Sequence, residues 1–166
     1  VDGQPFLSAE AQAIQRLSSS GHWIVPVDTP LGQLSLWAFS ATPPVFDGPE
    51  DRNGLRNRDE LRLWQRVLGG ELVEDAPDNF VIAGNANLDP ADGDGYRDAM
   101  GDLLADPRLQ DPQPASAGGA LAQSPGHRGD PALDTADWNE DGPGNLRVTY
   151  VLPSTGWTVT ASGVFW

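Results

Sequence analysis

"FVIAGNANLDPADGDG", Phe80 to Gly95, runs from a short apolar segment into a turn built of asparagine, aspartate, proline and glycine. Phe80 to Gly84 has the length and composition of a buried β-strand. The polar side chains that follow stand where a strand meets a loop, and there they either carry chemistry or satisfy the backbone of the turn. The residues around this segment decide between the two.

Working outward, Ser8 to Leu17 begins with a capping serine and continues with apolar residues at helical spacing, which predicts a short helix. His22 to Val27 and Gln33 to Phe39, separated by Asp-Thr-Pro-Leu-Gly, predict a strand-turn-strand unit, and Pro26 places the first strand at a sheet edge. Thr42 to Gly54 is a loop rich in proline and glycine. In Asn57 to Leu68, residues Leu61, Trp64, Val67 and Leu68 share one face of an amphipathic helix. Tyr96 to Leu104 predicts another helix and Asp106 to Gly144 a long acidic excursion. Leu146 to Leu152 and Trp157 to Trp166 predict two closing strands. Alternating strands and helices imply α/β layers in a single domain spanning residues 1–166.

Composition bounds the chemistry. The 166 residues carry 24 acidic and 10 basic side chains, a formal charge of -14, which disfavours nucleic acid as a partner. Cysteine is absent, so disulfides, thiol nucleophiles and thiolate metal sites are ruled out. The apolar runs are far shorter than the roughly 20 residues of a transmembrane helix. The acidity, the lack of cysteine and the start at Val1-Asp-Gly-Gln point to an extracytoplasmic chain, periplasmic or secreted, with a trimmed beginning.

Several stretches together resemble the endonuclease/exonuclease/phosphatase family, the DNase I-like fold of nucleases, sphingomyelinases and inositol phosphatases. They are "TPPVFDGPEDRNG" (Thr42 to Gly54), Arg56 to Trp64, Phe80 to Gly95, "DPRLQDPQPAS" (Asp106 to Ser116), "DTADW" (Asp134 to Trp138) and "NLRVTYVLPS" (Asn145 to Ser154). The resemblance implies half of a four-layer α/β sandwich, its C-terminal half, with one mixed sheet, flanking helices and long loops. It also implies in-line attack of water on a phosphate ester, assisted by Mg2+ and by Asp and His side chains.

Residue by residue, that chemistry is depleted. The strand-end histidine of the family falls at Ser40, the aspartate of its Gly-Asp-x-Asn motif at Asn85, and the aspartate of its penultimate strand at Thr149. Asn87 alone keeps its family identity. A hydroxyl or an amide neither accepts the proton of an attacking water near neutral pH nor offers a metal an anionic oxygen. The expectation is therefore a degenerate phosphoesterase domain reused as an accessory or structural subunit. The alternatives are a phosphoesterase fragment completed by another chain and a calcium-stabilised extracellular module.

Asp89, Asp92 and Asp94 are the candidate calcium ligands, set against a solvated turn as the alternative. Asp134, Asp137, Glu140 and Asp141 read as a second solvated acidic loop. Asp47, Asp51 and Arg52 are expected to cap the following helix, or else to border a substrate cleft. His22 and His127 are expected to be structural or exposed. Leu34, Leu36 and Ala38 fall on one face of their strand and Trp37 and Phe39 on the other, so both faces are apolar. Trp37 and Phe39 are the expected contacts for a protein partner.

Overall fold

The computed structural model of the chain describes residues 7–73 and 77–166, so the reading of the first four residues lies outside what is described. Strands β1 (Gly21–Thr29) and β2 (Gly32–Ser40) form an antiparallel hairpin. Gly32 closes its turn at φ 118°, a backbone setting that favours glycine. Helix α1 (Ala9–Ile14) precedes them, with the Ser8 hydroxyl accepting from the Ala11 N–H as the sequence predicts.

From β2 the chain crosses through α2 (Arg52–Leu68) to β3 (Phe80–Asn85), which pairs parallel to β2. The predicted helix starts at Asn57; the observed one starts five residues earlier, because the Asp47 carboxylate accepts from the Asn53 N–H and satisfies a first-turn donor. Asp51, expected to cap, stands at the helix start with φ 51° and accepts instead from the Tyr96 hydroxyl at 2.7 Å. Helix α3 (Arg97–Leu104) follows β3 and packs against α2.

The predicted loop between Asp106 and Gly144 contains helix α4 (Ala117–Leu121), a 3-10 turn (Pro131–Leu133) and strand β4 (Ala136–Asp137). The last elements are β5 (Asn145–Leu146), paired with β4, and β6 (Thr149–Pro153), paired antiparallel with β3. The main sheet has the order β1-β2-β3-β6 and is mixed, with β1 at an edge as Pro26 predicts. This mixed α/β architecture agrees with the half-sandwich that the resemblance implies.

Two strand expectations are corrected. Leu146 to Leu152 is not one strand. The N–H of Arg147 goes to Asp89 Oδ2 at 2.7 Å, and those of Val148 and Thr149 go to Thr135 Oγ1 at 2.9 and 3.0 Å, so side chains take the donors a ladder would use. Trp157 to Trp166 forms no strand, and the hairpin-like ending is absent. That segment runs over the surface, held by contacts such as Val164 N–H to Ala115 O at 3.2 Å, and Phe165 is fully exposed.

One face of the sheet is covered by its own helices. Trp37, Phe39, Phe80, Ile82, Tyr150 and Leu152 are buried in a core with Leu61, Trp64, Val67 and Leu68 of α2 and Met100 and Leu103 of α3. Trp37 stacks on Phe80 with ring centroids 4.3 Å apart and on Trp64 at 5.5 Å, while Phe39 meets Trp64 edge-on at 5.8 Å. Gly84 lies beneath Phe39, where a Cβ would collide with the Phe39 carbonyl and ring. Trp37 and Phe39, expected to meet a partner, are therefore 0% and 5% exposed within this core.

Among the described residues the opposite face is the more exposed one. The register places Trp23, Val25 and Val27 beside Ala38, Leu36 and Leu34, and carries the row on through Val81, Ala83 and Val151. Trp23 is 50% exposed and Val151 53%. Among the described residues no helix is long and apolar enough to cross a membrane. Replacing Trp64 with Ala is expected to cost about 3–5 kcal/mol in urea unfolding, whereas Val25→Ser on the open face changes stability by roughly 0.5 kcal/mol or less. Equal losses would mean that the covered face has been assigned wrongly.

Candidate functional site

Ser40, Asn85 and Thr149 meet. Ser40 pairs with Asn85 across β2 and β3, and Asn85 with Thr149 across β3 and β6, so the three form one transverse row on the open face. Ser40 and Asn85 are half-buried and Thr149 is exposed. The row presents hydroxyl, carboxamide and hydroxyl, all neutral at physiological pH.

Just beyond the row, the Asn85 side-chain oxygen accepts from the Asn87 N–H at 2.9 Å. Asn87 sits at φ 50°, a left-handed setting that asparagine tolerates, and its side-chain amide donates to Ala41 O at 2.8 Å. From below, the buried Asn57 amide donates to Thr42 O at 2.7 Å and to Ala86 O at 2.8 Å. The Glu60 carboxylate, fully buried, accepts from the Thr42 N–H at 2.5 Å and from the Ser19 N–H at 2.8 Å. Asn57 and Glu60 escaped the sequence reading; their only signal is polarity on the apolar face of a helix, where a buried amide or carboxylate needs partners.

His22 does not approach the row. Its ring packs on Trp64 at 5.0 Å and Phe39 at 5.6 Å, with Nδ1 2.9 Å from Ser18 Oγ and Nε2 3.0 Å from Glu60 O. Burial holds its pKa below the usual histidine value against the raising effect of Glu60. It is a structural ring, as expected.

The Asp89 turn is not the solvated loop of the alternative reading. Asp89 is buried, and its carboxylate accepts from the N–H groups of Ala91 at 2.7 Å, Asp92 at 3.1 Å and Arg147 at 2.7 Å. Asp92 is buried too and accepts from the N–H groups of Arg128 and Gly129. Burial raises the Asp92 pKa, but those two backbone donors together with neighbouring positive charge outweigh it and hold the group below the ordinary carboxylate value. Asp94 is exposed and has no hydrogen bond to the other two among the described residues. The three candidate calcium ligands thus do not converge, and among the described residues no group of three or more histidines and carboxylates is arranged to hold a metal ion. Nor do Ser40, Asn85, Asn87 and Thr149 fit the divalent ion that the fold implies: they offer it no anionic oxygen.

Asp134, read from sequence as solvated, is 7% exposed and lines a small cavity of about 60 Å³ with Asp92, Ser124 and His127. No hydrogen bond reaches its carboxylate among the described residues. Burial, and after it the charge of Asp89, pushes its pKa up to about 6. Arg147 is buried in a bidentate pair with Asp111, at 2.6 and 2.8 Å, with its guanidinium 4.7 Å from the Tyr150 ring centre.

A larger cleft of about 730 Å³ opens beside Asn87 and Asp89. Its walls come from the Pro43–Phe46 loop, from the Gly93–Asp94 turn and from Trp138, Leu146 and Val148.

The sequence model of the Endonuclease/Exonuclease/phosphatase family matches residues 12–166, and the chain belongs to that family. No curated protein matches it.

Two outcomes follow from the carboxylates. Asp134 has a folded pKa above its unfolded one, so it binds a proton more readily when folded, and its penalty grows as pH rises from about 4 to about 6 and is full above that. Asp134→Asn is expected to stabilise the chain at neutral pH by about 1–2 kcal/mol, a gain that fades towards pH 4 in chemical unfolding. A gain independent of pH would refute the assignment. Addition of a chelator is expected to leave the melting temperature unchanged, and a fall would restore the calcium reading.

Proposed function

We propose that this domain is a non-catalytic member of its family that serves as an accessory or structural subunit and binds a protein partner through the open face of its sheet. The observation that carries the reading is the Ser40–Asn85–Thr149 row. At three adjoining register positions it offers no general base, no cationic donor and no anionic metal ligand, and in-line hydrolysis of a phosphate ester needs all of these. Chemistry of this kind loses about 100- to 10,000-fold for want of a positioned acid or base alone.

The partner reading rests on the same face. Apolar side chains on four adjacent strands lie in register, and the most exposed, Trp23 and Val151, stand on the two outer strands. A second sheet or an apolar partner surface packs against such a face at about 10 Å. The strong negative charge sets a nucleic acid aside as that partner.

The test has two arms. Purified chain supplied with Mg2+ or Mn2+ is expected to leave a simple phosphodiester such as bis(p-nitrophenyl) phosphate intact; robust divalent-dependent hydrolysis would defeat the proposal. Native mass spectrometry of gently isolated material is expected to give a stable complex with unrelated subunits that Val151→Asp dissociates without unfolding the domain. A monomer at native concentration would remove the partner role. A complex with a complementary phosphoesterase half and bound Mg2+ would favour an enzyme fragment instead.

A further inference from the structure

The cleft beside Asn87 is not lined by Ser40, Asn85 or Thr149, although Asn87 joins it to their row, and its chemistry differs from that of a phosphate site. It is walled mainly by apolar side chains, and no arginine or lysine lines it among the described residues. Its titratable groups are Asp89, Asp94 and His127. The Asp89 carboxylate is engaged by three backbone N–H groups, which leaves Asp94, exposed and without a hydrogen bond among the described residues, as the free charge. A cleft of about 730 Å³ with few polar groups has the size of a small-molecule site.

The rim supplies a second observation. Phe46 is 91% exposed and held at φ 67°, a setting that is costly for a bulky side chain and is kept only where surrounding structure enforces it. The enforcing residue is Asn53. Its side-chain amide donates to Val45 O at 2.7 Å and its N–H donates to the Asp47 carboxylate, so both neighbours of Phe46 are pinned to the start of α2. The chain thereby holds an aromatic ring in solvent at the mouth of an apolar, acidic cleft. Trp138, 40% exposed, provides a second aromatic side chain in the lining.

We propose that this cleft binds an organic cation with a flat apolar body, its ring against Phe46 and Trp138 and its charge towards Asp94. Aromatic faces attract cations and tolerate flat rings, whereas an anion would meet two carboxylates and no arginine or lysine. The inference stands whatever covers the open sheet face, and it needs no catalysis.

Benzamidinium, benzamide and benzoate share one shape and differ in charge, so they are the probes. Titrations followed by NMR are run at about pH 8, where an ordinary histidine is neutral. Benzamidinium is expected to bind in the millimolar range, about five- to tenfold tighter than benzamide and more weakly as salt is added, with benzoate not binding. Asp94→Asn is expected to abolish the preference for benzamidinium while leaving benzamide unaffected. Phe46→Gly is expected to weaken both ligands yet raise the melting temperature, because glycine accepts the positive φ and the lost ring was in solvent. Benzoate binding as well as benzamidinium, absence of binding by all three, or unchanged affinity in both variants would overturn the proposal.

Discussion

Trp37, stacked at once on Phe80 beside it in the sheet and on Trp64 of α2 above it, fixes the parity of the whole sheet. Successive residues of a strand alternate faces, so once Trp37 is under the helix, Phe39 must follow it and Leu36, Ala38 and Ser40 must turn away. Pairing carries this choice across the molecule: Ile82, Gly84, Tyr150 and Leu152 go inward, and Asn85 and Thr149 go outward with Ser40. The core and the transverse row are therefore one decision seen from opposite sides. Slipping β2 by one residue would bury Ser40 and expose the tryptophan, which Gly84 also opposes, being the residue that admits the Phe39 ring.

Elements with a strong local pattern were legible in the sequence. The hairpin, the edge position signalled by Pro26, the strand at Phe80 and the apolar face of α2 all follow from period and punctuation. The family likewise follows from its motifs. What escaped depends on partners far away in sequence. Leu34 to Phe39 is apolar on both faces, so its alternation does not say which face the helix takes, and Trp37 and Phe39, expected to meet a partner, lie in the core with α2. The break at Arg147 and Val148 is set by Asp89 and Thr135, and the burial of Asp134 by Asp92 and Ser124 around it; neither leaves a local mark. The closing segment from Trp157 has strand-like residues but pairs with no strand among the described residues, which is tertiary context overriding propensity.

A turn and a reaction make separate demands on the same residues. The turn after β3 needs an oxygen at position 85 to accept the Asn87 N–H, and an asparagine meets that need as well as an aspartate does. A metal ion or an attacking water would need the charge, which the amide lacks. Asn87, by contrast, serves the backbone through its amide, holding Ala41 from a left-handed setting that few side chains accept. The same division explains Asp89, whose two oxygens bind three backbone donors and draw the start of the Arg147 segment onto the turn. An uncharged side chain there would leave those buried donors with poorer acceptors, so the scaffold itself holds the carboxylate in place. The family's turn can thus persist in shape while the neutral row beside it carries no charge, because the bonds that keep the shape are made by other atoms.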